Sequence, residues 1–461
     1  MNMVVKNMVR KNRFKDIKQP RVGIYGFGRT GRALLKNLAV RCRQLVVYDD
    51  RQSERPAGDW PDNIKWVFQP REIKPGLDLL ILSPGVPQEH EVVSAARRSG
   101  VRVVGELEVA AQFCEGPVYA VTGTNGKSTA ARLTGACLKV REKTEVDICG
   151  NVGRPMIEAV FAHPPGQKVN YVVEVSSFQI EGLLDFKCEH FLLTNLGDDH
   201  QDRHGSLAKY HDLKWQLLKR TRPGGRIVMP ENLRDEFEQR FGPVTDRCRF
   251  FTSKNIAGYD FPVWSEQGLI LKDGMIAAAE FPQIIRMFPE NLLAVLALSE
   301  LEPLVDNLRA VLEEFVPLAY RAQEIETGAG FRVINDSKGT NPHAVVSLLD
   351  KVETPVRLVL GGGNKEADFR PVFEKLKIKQ IARLVFCGEE ELRARLGELA
   401  GEYAIDYEYA DDWEQAVKML VKDARPGETV LLSPGATSFD AFENYKKRGE
   451  KFHCWVREVI A

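Results

Sequence analysis

Between Val118 and Thr129 the chain reads Val-Tyr-Ala-Val-Thr-Gly-Thr-Asn-Gly-Lys-Ser-Thr, an apolar run that breaks at a glycine-bearing turn and continues into the helix-forming stretch Ala130 to Leu138. A strand that passes through glycines into a helix start is how many α/β proteins hold phosphate, because backbone N–H groups and the helix dipole then face the anion. Gly123 and Gly126, with Thr124 and Asn125 between them, let the main chain turn toward an anion, and Lys127 adds a compact positive charge. A hydroxyl from Ser128 or Thr129 is available to Mg²⁺. The first glycine of the general phosphate-loop pattern would fall at Val121, so the match is to the shorter TGTNGKS variant. The plainer alternative is an ordinary strand-to-helix turn with Lys127 in solvent.

The rest of the chain repeats the same alternation. Short apolar runs at Val22–Gly26, Leu79–Ser83, Val118–Thr122, Tyr171–Glu174, Phe191–Thr194, Val333–Asn335, Arg357–Gly361 and Thr429–Ser433 are each followed by a stretch of helical period, the pattern of parallel α/β units. In such sheets ligand groups gather at the carboxyl ends of strands, where the polar residues of this chain cluster. The 461 residues exceed one ordinary core, and at roughly 100 to 200 residues per domain three units are expected. Boundaries are read near Gln112 to Gly116 and near Val316 to Tyr320, giving units over 21–113, 114–317 and 318–461 after a basic tail over 1–20.

Lys plus Arg and Asp plus Glu both number 64, so no overall positive field favours nucleic acid or an anionic membrane, and anions must be held locally. The eight cysteines are scattered without a CxxC pair, which argues for buried thiols in a reducing compartment rather than for zinc or a redox couple. The first twenty residues lack the apolar stretch and cleavage site of a secretory signal. No segment approaches the roughly 20 apolar residues of a membrane-spanning helix. A soluble, cytoplasmic protein without membrane insertion is expected.

A second glycine turn precedes the first. Gly26-Phe-Gly28-Arg-Thr-Gly31 follows a strand-like run, and Asp49 and Asp50 close Leu45-Val-Val-Tyr48 about twenty residues later, the spacing of a dinucleotide-binding fingerprint. Alone it would favour a dehydrogenase. Its physical content is narrower: a helix start for a diphosphate and an acid for a ribose or base edge. Beside a separate phosphate loop, a diphosphonucleoside substrate explains both turns, whereas a dehydrogenase leaves Lys127 unexplained.

Glu174-Val-Ser-Ser-Phe-Gln179 closes one strand and Asn195-Leu-Gly-Asp-Asp-His200 follows another, so carboxylate, hydroxyl, amide and imidazole groups converge beside the phosphate loop. Oxygen ligands with phosphates suit Mg²⁺. In order along the chain stand TGTNGKST, GNVG (150–153), EVSSFQI (174–180), NLGDDHQDRH (195–204), NDSKGTNP (335–342) and LLSPGATSFDAF (431–442). In these motifs, from Arg21 onward, the chain resembles the Mur ligases, and the E-x-S-S-F-Q and N-D-S-K-x-T-N combinations look like the branch that adds D-glutamate.

The resemblance implies a Rossmann-like N-terminal domain, a central P-loop mononucleotide-binding α/β domain and a C-terminal Rossmann-like α/β domain. It also implies ATP-dependent joining of D-glutamate to UDP-N-acetylmuramoyl-L-alanine through an acyl phosphate, in the building of peptidoglycan precursors for the cell wall. Lys127 would contact ATP phosphates, Ser128 or Thr129 with Glu174 would hold one Mg²⁺, and His200 a second, with Mn²⁺ also acceptable. Lys214 matches a lysine carried as a carbamate, an anionic oxygen ligand. Asn291, Arg321 and Asp336 would complete the ATP site. Arg29, Thr30, Asp50, Arg51, Ser83 and Gly85 would hold the uridine diphosphate, and Asn151, Ser176 and Gln179 the muramoyl part. D-glutamate would lie against Lys338, Thr340, Lys365, Ser438, Phe439 and Tyr445, since lysines and hydroxyls suit a dicarboxylate. The enzyme is expected to act as a monomer. Two other readings are a sister ligase resembling folylpolyglutamate synthetase, whose substrate lacks uridine diphosphate, and a silent protein that binds UDP-muramoyl precursors.

Overall fold

A computed structural model describes residues 13–363 and 367–460. Three largely parallel sheets succeed one another along the chain. The first comprises β1 (Arg21–Tyr25), β2 (Gln44–Asp49), β3 (Ile64–Phe68), β4 (Leu79–Leu82) and β5 (Arg102–Gly105), in the order β3-β2-β1-β4-β5. β1, β2, β4 and β5 bury both faces, which is why they read as continuous apolar runs rather than alternating ones. Side chains still point to opposite faces in turn. Val22, Ile24, Val47, Leu79 and Ile81 enter one core, while Tyr25, Val46, Tyr48, Leu80 and Leu82 enter another.

The second sheet comprises β6 (Val118–Thr122), β7 (Val146–Gly150), β8 (Asn170–Glu174), β9 (His190–Leu193), β10 (Ile227–Pro230) and β11 (Cys248–Phe251), all parallel, in the order β11-β10-β9-β6-β8-β7. This order determines the site. β6 lies between β8 and β9, with Val121 opposite Glu174 and Thr122 opposite Leu193, so three motifs distant in sequence end side by side. The helix Lys127–Glu142 leaves β6 and is covered by the helices Pro289–Ser299 and Val305–Glu314. An antiparallel meander of β12 (Val263–Trp264), β13 (Gly268–Leu271) and β14 (Gly274–Ala277) packs below them.

The third sheet comprises β15 (Gln323–Ile325), β16 (Arg332–Asn335), β17 (Val356–Gly362), β18 (Ile381–Gly388), β19 (Glu408–Tyr409) and β20 (Thr429–Gly435), ordered β15-β16-β20-β17-β18-β19. Only the β15–β16 pair is antiparallel. β16 and β20 are neighbours, which sets the NDSKGTNP and SPGATSF segments together at their carboxyl ends. Among the described residues no helix is long and apolar enough to cross a membrane.

The expected basic tail is shorter than read from sequence. Residues 1–12 lie outside the described residues, but Phe14 is buried, its ring centre 5.8 Å from that of Phe113, and the Lys15 backbone donates to Gln112. One aromatic side chain among many basic residues was enough to dock the segment.

The first and second sheets are joined by two buried acids on the short helix Glu106–Ala110. Glu108 accepts the backbone N–H groups of Leu184, Asp185 and Phe186. Glu106 accepts Ile157 N–H at 2.6 Å. Burial pushes the Glu106 carboxyl up to about 7 from 4.5, against the pull of the Ile157 N–H and of Arg29. The folded chain therefore binds this proton more tightly than the unfolded chain, and stability falls as pH rises from about 4.5 to about 7. Thermal melts over that window should show a loss from this residue on the order of 3 kcal/mol at most, and Glu106→Gln should flatten the profile. Equal slopes for the two proteins would refute the assignment.

Candidate active site

The first glycine turn opens a cleft of about 580 Å³ lined by Arg29, Thr30, Asp50, Arg51, Ser83 and Gly85, among others, so all six residues expected to hold the uridine diphosphate come together. The two neighbouring aspartates divide their work. Asp49 is spent on the turn itself, accepting from the backbone N–H groups of Phe27, Arg51 and Gln52. Asp50 faces the cleft, where the Tyr25 hydroxyl donates to it at 2.9 Å and His90 Nε2 lies 3.6 Å away. Sequence spacing alone did not separate them.

The phosphate loop is braced from outside. Gly123 has φ +145°, and a Cβ there would lie 1.9 Å from Thr194 Oγ1, so both conformation and space require glycine. Thr194 Oγ1 and Asn195 Nδ2 donate to the Asn125 carbonyl, and the Asn125 N–H donates to Asn195 Oδ1. Lys127 bends back, its Nζ donating to the carbonyls of Gly123 and Thr124 at 2.9 and 2.6 Å. Burial lowers the Lys127 amine, and Arg321 adds to that, while Glu174 and Asp199 pull the other way.

Lys127, Ser128, Glu174 and His200 line one cavity of about 360 Å³ with Asn151, Ser176, Arg321, Lys338, Thr340 and Tyr445. Glu174 is 1% exposed; Asn151 Nδ2 donates to its Oε1 at 2.7 Å, and its buried Oε2 has no partner. A buried carboxylate oxygen without a donor is costly unless a cation completes it. His200, at φ +53°, has its ring centre 4.7 Å from that of Phe178 and its Nε2 3.4 Å from Asp199 Oδ2. Among the described residues no three His, Cys, Asp or Glu side chains converge to hold a metal unaided. With one protein carboxylate and hydroxyls, the donor set fits a hard cation whose remaining ligands are phosphate oxygens.

Lys214 is fully buried and does not line that cavity. Its Nζ lies 3.2 Å from the centre of the Tyr210 ring and has no hydrogen-bond partner. Burial lowers its amine well below the usual lysine range, and Lys127 reinforces the effect.

A narrower cavity of about 110 Å³ gathers Gly126, Thr129, Asn291, Arg321 and Asp336, the residues expected to complete an ATP site. Asn291 Oδ1 fills the space where a Cβ on Gly126 would stand, at 2.5 Å. Arg321 donates to Ser128 Oγ at 2.9 Å, bringing the third unit onto the phosphate loop. Asp336 accepts from Ala322 N–H and Ser433 Oγ, and burial raises its carboxyl to about 6.

The residues expected around glutamate are gathered only in part. Lys338, Thr340 and Tyr445 reach the central cavity, and Lys338 Nζ is 5.2 Å from the centre of the Tyr445 ring. Burial lowers the Lys338 amine to about 8, with Arg321 and Lys127 acting the same way. Ser438 is buried outside the cavity lining, and Phe439 is 75% exposed. Lys365 lies outside the described residues, as do Asn364 and Glu366. Gln179 also stays out of the cavity: its Oε1 accepts from the Ser176 N–H, completing the cap of the helix Ser177–Ile180.

Several contributors escaped the sequence reading. Arg448, 1% exposed, donates to the carbonyls of Ser337, Ala436 and Thr437, tying together the loops that carry Lys338 and Ser438. No motif surrounds it, so nothing in the sequence singled it out. Asp199 and Asn341 stood inside quoted motifs without a role, yet Asn341 Nδ2 donates to Asp199 Oδ2 at 2.9 Å across two units.

Comparison with known proteins agrees with this layout. Three family profiles match: "Mur ligase MurD-like, N-terminal domain" over residues 20–105, "Mur ligase middle domain" over 121–297 and "Mur ligase, glutamate ligase domain" over 320–435. The UDP-N-acetylmuramoylalanine–D-glutamate ligase of Pelotomaculum thermopropionicum is 33% identical, covering 95% of this chain and 97% of that protein. The enzyme of the same name from Thermoanaerobacter pseudethanolicus is 30% identical over 96% and 99% of the two chains. Among solved structures, the MurF ligase of Thermotoga maritima, in complex with ADP, superposes with a TM-score of 0.58 over 97% of each chain at 14% identity, a likeness of fold. Taken with three successive profile matches and relatives aligned over nearly the whole length, the shared architecture means that this chain belongs to the Mur ligase family.

Proposed function

We propose that the protein joins D-glutamate to UDP-N-acetylmuramoyl-L-alanine, the two substrates that the names of its relatives print, and does so at the expense of ATP. The observation that carries this reading is the link between the two anion cradles. Arg29, at the helix start of the first cleft, donates to Gly153 O at 2.9 Å and Asn151 O at 3.3 Å, while the Asn151 side chain holds Glu174. A uridine nucleotide in the first cleft thus has its far end directed along Asn151 to the phosphate loop. The UDP-sized cleft disfavours a folylpolyglutamate synthetase-like substrate. The enzyme acts as a monomer in this reading, and its use of ATP with a nucleotide-linked precursor suits the cytoplasm.

In this mechanism the L-alanine carboxylate of the uridine nucleotide attacks the γ-phosphorus of ATP, the bond to the β,γ-bridging oxygen breaks, and ADP leaves an acyl phosphate. The glutamate amine then adds to the acyl carbon, and phosphate departs from the tetrahedral intermediate with loss of a proton from nitrogen. Lys127 swings from its carbonyl contacts to the phosphates, Arg321 approaches from the third unit, and Asn291 and Asp336 orient the nucleotide. Mg²⁺ held by Ser128 or Thr129 with Glu174, and a second ion by His200, would neutralise charge that develops on the phosphoryl oxygens. Lys338, Thr340 and Tyr445 receive the glutamate carboxylates, and Arg448 keeps their loops in register. The contact of the third unit with the phosphate loop excludes water that would hydrolyse the acyl phosphate.

Lys214 is assigned to carbamylation. Burial disfavours the charged form of Lys214, the neutral amine has the lone pair to add to CO₂, and the carbamate formed after proton loss offers oxygens where the amine has no hydrogen-bond partner.

Mass analysis of products from UDP-N-acetylmuramoyl-L-alanine, ATP and a panel of D- and L-amino acids should show the D-glutamate adduct. Phosphate release from ATP alone would overturn the reading. Lys127→Ala should lower kcat about a thousandfold, or ~4 kcal/mol of barrier, in a coupled ADP assay. Lys214→Ala should be inactive and partly restored by a short added carboxylate; full activity without it would remove the carbamate.

A further inference from the structure

The third unit also touches the phosphate loop through a side chain that none of these steps uses. His343 stands in the first turn of the helix Pro342–Leu349, whose cap is Asn341. Its Nδ1 accepts from Asn125 Nδ2 at 2.8 Å. The orientation of the Asn125 amide is set by its other end, since Asn125 Oδ1 accepts from Asn341 Nδ2 at 3.3 Å. The imidazole is therefore the neutral form with its proton on Nε2. Its ring lies against Gly197, where a Cβ would come within 2.5 Å of Cδ2. Gly197 N–H in turn donates to Thr124 Oγ1 at 2.9 Å, in the same loop.

Asn125 is thus held twice, from different units. Its peptide groups are fastened to Thr194 and Asn195 of the second sheet, and its side chain to Asn341 and His343 of the third. In a phosphate loop the direction of successive N–H groups decides how well an anion is bound, so a rotation at Asn125 redirects the N–H groups of Gly126 and Lys127. The two holds on Asn125 differ in kind. The second-sheet contacts lie within the unit that carries the loop, whereas the His343 contact joins that unit to the third.

We propose that His343 is a positioning residue that couples seating of the third unit to the shape of the phosphate loop, by accepting the Asn125 side-chain amide. Nucleotide binding and unit closure then reinforce one another through this hydrogen bond, beside the contacts that Arg321 and Asn341 make with the loop. The inference rests on the nucleotide reading given above, and it concerns nucleotide affinity rather than chemistry at the acyl carbon.

The test is calorimetric titration of the full-length protein with a β,γ-imido ATP analogue and Mg²⁺, with ATP kinetics alongside. His343→Ala should weaken analogue binding about tenfold, the worth of one such bond, and raise the KM for ATP more than it lowers kcat. His343→Asn should restore affinity, because its side-chain oxygen falls where Nδ1 stood; His343→Gln, whose oxygen falls nearer Nε2, should not. If His343→Ala does not fold, the Asn and Gln variants decide the matter alone. Unchanged affinity in His343→Ala, or equal weakness of the Asn and Gln variants, would overturn the inference and leave the enzyme's function standing. Failure of the wild-type protein to bind the analogue would remove the nucleotide reading and this inference with it.

Discussion

Positive charge is crowded into the central cavity and its wall. Lys127, Arg321 and Lys338 line it, and Lys214 lies buried behind Tyr210. Burial lowers the three lysines, and the cations lower one another, with Glu174 and Asp199 as the nearby acids. Such an arrangement is unfavourable by itself and becomes favourable when a polyanion enters. Lys127 meets the problem by turning onto the carbonyls of its own loop.

That crowding depends on the order of strands in the second sheet. Because β6 runs between β8 and β9, the carboxylate of Glu174 and the hydroxyl of Thr194 flank the loop without any long connection. The first unit is then set at a fixed distance by Glu106, Glu108 and the contact of Gly105 N–H with Gly182 O at 2.7 Å. Arg29 completes the join. These few polar contacts between packed surfaces hold the two glycine-turn cavities beside one another.

The third unit contributes from the carboxyl ends of β16 and β20. Arg321, Asp336, Lys338 and Asn341 come from one short stretch, while Arg448 on the final helix holds the second loop against it. A buried arginine bonded to several carbonyls ties those loops together without adding a carboxylate beside Lys338.

Much of this could be read in the chain. The apolar runs at β1, β4, β6, β8, β9, β16, β17 and β20 were visible because strands buried on both faces carry unbroken apolar sequence. The meander of β12 to β14 and the short edge strands were not, since two to four residues of mixed character carry little period. At the site, Lys127 and Glu174 stood in motifs at strand ends, whereas Asn291 and the six cleft residues were named from the resemblance to the family. The sequence by itself determined those turns, caps and strand ends, because they depend on glycines and side chains a few residues apart. Only the tertiary structure decided that Asp49 is taken up by backbone N–H groups of the turn while Asp50 meets Tyr25, that Gln179 caps a helix, that Phe439 points to solvent, and that His343 and Arg448 reach the loops they hold. Those outcomes come from contacts between residues as much as 218 positions apart, and no local pattern encodes which distant backbone group will be left without a partner.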